Sequence, residues 1–313
     1  MNYLNKNIRE RIDAKLKQLS IIRPINTSSM KKLREQFALE LTYNSNAIEG
    51  NLLTLKETFF VINEGLTIKG KPMRDHLEVK DHFETLEYLY KFAEKERKQN
   101  FTEVTLRTLH QLVVRETESG EAGKYRTGNA MVTGSSHTPP DAHEVPHKIR
   151  EMFEWIRKQK NKMHIVELSA IVHHKIVGIH PFTGGNGRTA RLVMNLLLLQ
   201  EGYPMTVVLS NDRKKYYDAL SKADSGDYSY FVRFIAQAVE RSLNIYIKTL
   251  LPAKTESGKF YPLSTISKQT PYSEKYLNLL SRLGKIEAHK EGRNWITTID
   301  AVKKYRQERE RKR

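Results

Sequence analysis

The sequence has no cysteine in 313 residues. That absence excludes a disulfide scaffold, a thiolate zinc site, an iron–sulfur cluster and a cysteine nucleophile. It fits a reducing compartment, and a cytoplasmic location is the expectation. No apolar run reaches the length of about 18 residues that a membrane-spanning helix needs, so no membrane partner is expected. Residues 1–20 are charged and amphipathic, with no apolar h-region, which argues against a signal peptide. Acid is the scarcer charge: 36 Asp+Glu stand against 53 Lys+Arg, a net charge of +17. Such an excess serves either a well-hydrated surface or contact with something anionic. Apolar residues make up 39% of the chain, which supports a real core and excludes wholesale disorder.

The charge is uneven. Residues 252–313 hold fifteen Lys+Arg and seven Asp+Glu, a net of +8 in about a fifth of the chain. Most of the rest has helical periodicity. Met30, Leu33, Phe37, Leu41 and Ile48 predict a helix over 28–48, capped by Ser28 or Ser29 and ended by Gly50. Further helices are expected over 56–64, 75–98, 102–118, 146–160, 165–178, 188–200, 212–223 and 228–251. Residues 120–146 break the pattern with glycines, Pro139-Pro140 and the short run Ala130-Met131-Val132-Thr133, which together read as loop and a small β-hairpin. The expected organisation is an N-terminal helical segment (1–27), a main helical domain (28–251), a linker (252–258) and a small C-terminal module with a basic tail (259–313). In that module helices over 263–268 and 273–283 precede a hairpin turning at Glu291-Gly292 and a last helix from Ile299.

One stretch carries chemistry: His180-Pro181-Phe182-Thr183-Gly184-Gly185-Asn186-Gly187-Arg188-Thr189-Ala190-Arg191. It is a glycine-rich loop feeding a helix. Glycines let backbone approach a ligand closely. A helix N-terminus offers free N–H groups and the positive end of the dipole. Arg188 and Arg191, at i and i+3, can both reach an anion. His180 supplies an imidazole able to act as a base near neutral pH. No Gly-Lys-Ser/Thr follows, so this is not a Walker A loop, and a helix rather than a strand precedes it, so it is not a dinucleotide fingerprint.

The stretch closely resembles the Fic motif, His-Pro-Phe-x-Asp/Glu-Gly-Asn-Gly-Arg-x-x-Arg, and the resemblance spans roughly residues 28–251. It implies an all-α fold, the Fic helical bundle with a small β-hairpin flap, and a nucleotidyltransferase that moves AMP from ATP onto a hydroxyl side chain of a target protein. By the resemblance His180 takes the proton from that hydroxyl. Asn186 and the amides of Gly185 and Gly187 stabilise charge on the phosphate, Arg188 and Arg191 hold the β- and γ-phosphates, and Phe182 anchors the loop. The nucleotide-binding set then runs through Gly184, Gly185, Asn186, Gly187, Arg188, Thr189, Ala190 and Arg191. It adds the flap residues Met131, Val132, Thr133 and Gly134 and the pair Tyr216 and Tyr217 at the adenine end. Flat rings suit a base, though core packing is their plainer use.

Ser45-Asn46-Ala47-Ile48-Glu49-Gly50 is similar to the family's inhibitory pattern, and it stands upstream of the core, as in the subgroup with an N-terminal inhibitory helix. Glu49 is then expected to pair with Arg191 and hold ATP in an unproductive pose, with Ser45 as the pattern's first residue. In relatives the same glutamate also helps to remove AMP, so removal activity is part of the expectation. One position departs from the motif. Gly184 stands where the family has the Asp or Glu that binds Mg²⁺ (or Mn²⁺), and glycine has no ligating atom. Three alternatives stay open there: metal held by phosphates and water alone, a different donor or transferred group, or a nucleotide sensor without transfer.

The region 261–306 resembles an excisionase-like winged helix-turn-helix, with Trp295 packing the wing and Lys275, Arg282, Lys290 and Arg293 available to phosphates. Such modules bind DNA or protein, so the alternative function is a DNA-binding regulator or pseudoenzyme whose core binds nucleotide without transfer. Self-association into a homo-oligomer is left open. His173 and His174 read as packing histidines and His137 as a surface one.

Overall fold

Helix formation is explained by local signals that the sequence carries. The computed structural model describes residues 3–21, 27–95, 101–132, 137–250 and 258–311. Among the described residues the main body has ten α-helices: α1 (Lys6–Ile21), α2 (Thr27–Ile48), α3 (Leu55–Glu64), α4 (Met73–Lys95), α5 (Glu103–Val113), α6 (Val145–Gln159), α7 (Ile165–Ile179), α8 (Asn186–Gln200), α9 (Arg213–Asp224) and α10 (Ser229–Leu250). Thr54 caps α3 in a full capping box with Glu57, and Gly65 ends it in the left-handed conformation. Thr102 caps α5 by accepting the Thr105 N–H. α2 already includes Ser28 and Ser29, so neither is its cap.

The central pair is α7 and α8. α7 is buried without interruption from Val166 to His174, and α8 from Arg188 to Leu198. Helices apolar on most sides belong inside a protein. α4 and α5 pack on α8, and α10 packs on α7. The 180–185 loop that joins α7 to α8 is thus held between two buried helices. α1 is not a separate segment: its Ile8, Ile12 and Leu19 are fully buried in the same core. Among the described residues no helix is long and apolar enough to cross a membrane.

α5 ends at Val113, five residues before the expected end, and the chain continues in turns. The Asp81 carboxylate accepts the Glu116 N–H at 2.8 Å, and Arg115 pairs with Asp81 and Glu84. These tertiary partners take groups that a continuing helix would use itself. No strand is present among the described residues of 120–146, and part of the expected β-hairpin lies outside them. Asn129 instead bridges the two arms by side chain, donating to Asp141 Oδ1 and accepting the Ala142 N–H, each at 2.8 Å. Thr133 and Gly134 lie outside the described residues, as do most of the expected linker and the end of the basic tail.

The C-terminal module contains β1 (Tyr261–Pro262), α11 (Leu263–Ser267), α12 (Glu274–Arg282), β2 (Ala288–Glu291), β3 (Asn294–Thr297) and α13 (Ile299–Glu310). Its sheet has the order β1-β3-β2, antiparallel, with Glu291 opposite Asn294. The tight turn is therefore Gly292-Arg293, one residue later than expected, with Gly292 at φ 58°. Leu263, Ile266, Leu277, Leu280, Ile286, Ala288 and Val302 form its own core, against which Trp295 packs as expected. Lys275, Arg282 and Arg293 are exposed. Lys290 is not free for phosphates, because it is paired with Asp212 of the main body.

Glu240 of α10 fastens the module and α1 to that body. It is fully buried and accepts from Arg11 Nε at 2.7 Å, Arg11 Nη2 at 2.9 Å and Lys15 Nζ at 2.7 Å. Arg11 also donates to Gly284 O and Lys15 pairs with Glu287, both in the module. Burial alone would raise the Glu240 carboxyl, but Lys15 and Arg11 outweigh it and hold it down at about 2. A pKa depressed on folding gives stability that is present above the ordinary carboxyl range and lost as pH falls towards the folded value. Glu240→Gln is therefore expected to cost about 3 kcal/mol at pH 7. In urea unfolding, the gap between variant and wild type should close between about pH 4 and pH 2. An unchanged gap across that window would contradict the assignment.

Candidate active site

His180 ends α7 in the left-handed conformation, φ 50° and ψ 59°, and it is the only non-glycine residue with positive φ among the described residues. A non-glycine residue keeps that conformation only where its surroundings over-determine it. Arg126 is one determinant. Its Nε donates to His180 O at 2.8 Å and its backbone N–H to Pro181 O at 3.0 Å. The same guanidinium donates to Gly128 O and Pro140 O, so one buried side chain pins both arms of the 126–141 segment to the loop. Asn186, the first residue of α8, is the second determinant. Its Oδ1 accepts the Phe182 N–H and its Nδ2 donates to Phe182 O.

One face of α5 and the turn after it covers the loop, with residues at i, i+4 and i+8. The His110 ring stacks on Phe182, centroids 3.7 Å apart and planes 1° from parallel. His110 Nδ1 accepts the Gly123 N–H, so the proton is on Nε2, which donates to Gly184 O at 3.1 Å. Burial pushes this imidazole down to about 4, so it is neutral at physiological pH. Val114 fills the space beside Gly185 where a Cβ would point, and Gly185 itself is at φ 66°. Glu118 fills the corresponding space at Gly184.

The two arginines of α8 differ. Arg191 is 1% exposed and fully engaged. Its Nε donates to Ser45 Oγ at 2.9 Å and its Nη2 to Ser45 O and Glu49 Oε1, both at 2.7 Å. Burial alone would weaken its hold on the proton, but the Glu49 carboxylate reverses this and its pKa is raised. The Glu49 carboxylate also lies where a Cβ on Gly187 would stand, so the acid sits against the N-terminal turn of α8. Arg188 is equally buried, but its Nε and Nη1 have no hydrogen-bond partner, and the nearest acid, Glu78, is 3.5 Å from Nη1. Glu78 compensates the charge without a hydrogen bond, so buried donors are left for an incoming anion.

The expected residues fall into two groups. His180, Gly184, Gly185, Gly187, Arg188, Arg191, Ser45 and Glu49 converge around the start of α8. The others are placed or engaged differently. Asn186 shapes the loop through both polar side-chain atoms on Phe182, which leaves one Nδ2 N–H uncommitted by those bonds. Thr189 and Ala190 are fully buried on the core side of α8. Tyr216 is corrected to a packing residue: it is 1% exposed, packs against Phe231 and Phe234, and joins its hydroxyl to His173 Nε2 and Arg191. Tyr217 keeps an exposed ring. Met131 is 94% exposed and Val132 partly exposed on the 126–132 arm. His173 and His174 are buried, bonded to Tyr216 and Asp224, as expected of packing histidines. His137 departs from expectation: it is partly buried and pairs with Gly178 O at 2.8 Å. His110, Glu118, Arg74 and Glu78 went unnoticed in the sequence. The only available signal was the position of His110, Val114 and Glu118 on one helical face.

The family profile described as "Fic/DOC family" matches residues 100–198. The sea anemone Nematostella vectensis has a relative named protein adenylyltransferase Fic, 34% identical over 245 residues, covering 78% of this chain and 56% of that protein. The chain spans about half the length of the curated relatives it matches. A Fic domain containing signaling protein from Bacteroides thetaiotaomicron superposes with a TM-score of 0.71 at 29% identity, covering 78% of this chain and 97% of that one. Fic-1 from C. elegans superposes with a TM-score of 0.68 at 30% identity, covering 78% and 71%. With the loop, its arginines and the α7–α8 pair in that arrangement, the chain belongs to the Fic/DOC family.

Proposed function

We propose that this protein is an adenylyltransferase that moves AMP from ATP onto a hydroxyl side chain of a target protein, and that Glu49 restrains it. The observation that carries this reading is Arg188: a buried guanidinium in the first turn of α8 whose Nε and Nη1 have no hydrogen-bond partner and whose one paired acid, Glu78, stands 3.5 Å away. Together with Arg191 it suits a polyphosphate. The relatives' name supports the same chemistry.

The residues divide the work as follows. Burial lowers the pKa of His180, so its imidazole is neutral and free to accept a proton. It takes the proton of the target hydroxyl while that oxygen bonds to the α-phosphorus. The bond from the α-phosphorus to the bridging oxygen breaks, and its electron pair leaves with pyrophosphate. Arg188 and Arg191 hold the departing charge, and the N–H groups at the start of α8 take the oxygens of the phosphoryl group in flight. Arg126 keeps the 126–141 segment at the rim, where its backbone can align an extended stretch of the target. A divalent cation, when bound, neutralises phosphate charge in such a transfer.

The position of the label decides the reaction class. With the Glu49→Gly variant and Mg²⁺, ATP labelled on the α-phosphorus is expected to label protein, whereas ATP labelled on the γ-phosphorus is not. Label from the γ-position would mean phosphoryl transfer instead. Nucleotide binding with no label from either position would make the core a sensor.

A further inference from the structure

We propose that Glu118 is the metal-ligating carboxylate of this site, taking over from another element the place that Gly184 leaves open. The proposal rests on the adenylyltransferase reading and deepens it.

A Cβ built on Gly184 would lie 2.5 Å from Glu118 Oε2 and 2.8 Å from Glu118 Cδ. With a C–C bond of about 1.5 Å and a C=O of about 1.2 Å, an aspartate at 184 would hold its own oxygens about 2.4 Å from that Cβ. The Glu118 carboxylate therefore occupies the shell in which a side-chain carboxylate of residue 184 would stand.

Its two oxygens are in different states. Oε1 accepts from Arg74 Nη2 at 2.9 Å. Oε2 is buried and has no hydrogen-bond partner. A buried carboxylate oxygen without a donor is costly to keep, and a cation is the partner that would satisfy it. Arg74 bridges Glu118 to Glu78, donating to Glu78 Oε1 through its Nε. The carrier backbone is fixed as well: the Glu118 N–H donates to Val114 O at 2.8 Å, and His110 holds Gly184 O. One oxygen is anchored and the other is open, on a rigid mount beside the phosphate-binding loop.

The donor set fits a hard cation. Mg²⁺ and Mn²⁺ prefer oxygen, and Mg²⁺ is usually bound by one or two carboxylates with substrate phosphates and water. Among the described residues no group of three or more His, Cys, Asp or Glu side chains could hold a metal unaided. Glu118 therefore acts with the nucleotide, and the cation arrives with it. The same geometry accounts for the departure from the motif. With Glu118 in place, any side chain at 184 collides with its carboxylate, and an acidic one would add like-charge repulsion.

The test uses the full chain carrying Glu49→Gly, an ATP analogue with a methylene bridge between the α- and β-phosphorus, and Mn²⁺ followed by the loss of its free-ion electron paramagnetic resonance signal. Glu118→Gln is expected to weaken Mn²⁺ in the ternary complex about ten-fold or more. Affinity for the analogue in EDTA should stay the same, which also shows that the variant is folded. Glu118→Ala combined with Gly184→Asp is expected to regain Mn²⁺ affinity, and Gly184→Asp alone is not. Unchanged Mn²⁺ affinity in Glu118→Gln, or no recovery in the double variant, overturns the proposal while leaving the nucleotide site intact. No analogue binding in EDTA by the parent overturns the nucleotide reading and the proposal with it.

Discussion

On the proposed adenylyltransferase reading, replacing Glu49 with glycine is expected to raise the rate of AMP transfer about 10- to 100-fold, measured as initial label incorporation from α-labelled ATP. The estimate comes from what Glu49 holds. Its Oε1 receives a charge-assisted bond from Arg191 at 2.7 Å, beside a guanidinium that is only 1% exposed. A hydrogen bond to a charged group contributes about 1.5–3 kcal/mol, and a population held by that amount leaves about a tenth to a hundredth of the protein competent. The carboxylate also stands against Gly187, at the start of α8, so it competes for the helix N-terminus as well as for the arginine. Removing it frees both. Arg191 does not collapse, because Ser45 Oγ, Ser45 O and the Tyr216 hydroxyl still receive it. Unchanged transfer in a variant that binds nucleotide would remove the brake from the account. A rise in Glu49→Gln comparable to that in Glu49→Gly would assign the brake to charge rather than bulk.

What could be read from the sequence tracks how locally each feature is encoded. The loop from His180 to Arg191 is contiguous, so its glycines, its histidine and its helix start were visible together. Helix positions followed from periodicity, and the errors fell where a distant partner decides. α5 stops at Val113 because Asp81, more than thirty residues earlier, accepts the Glu116 N–H. Tyr216 and Tyr217 look alike in sequence. Only the packing of α9 on α10 and the Arg191 guanidinium bury one and leave the other exposed. The Glu49–Arg191 pair was reachable through the resemblance, since its pattern is itself local. Glu118 had no such route. It lies 66 residues before Gly184, outside any motif, and only the stacking of α5 on the loop brings the two together. The sequence showed a glycine at the motif's ligand position, and the fold places the Glu118 carboxylate beside it.

On the same reading, His180→Ala is expected to slow transfer about 100- to 10,000-fold, while nucleotide affinity and thermal stability change little. The size is that of removing a positioned general base. Stability is spared because alanine meets the same left-handed strain that histidine already bears at φ 50°, and the Arg126 clamp acts on His180 through its backbone carbonyl. The pH dependence separates a base from a merely structural residue. Burial is the largest influence on the imidazole and lowers its pKa. The Arg126 cation lowers it further, whereas Val177 O and the Glu49 carboxylate raise it, and the net direction is down. A base must be neutral to accept a proton, so the rate is expected to be level through neutrality. It should fall only on acidification below about 6.5, the ordinary histidine value. Removing Glu49 takes away one of the two raising influences. The acid limb of Glu49→Gly should therefore lie at lower pH than that of the wild type, even as the plateau rises. An acid limb above the ordinary histidine value, or one that moves upward in Glu49→Gly, would mean that the titrating group is not His180. Transfer surviving in His180→Ala would show that another group takes the proton.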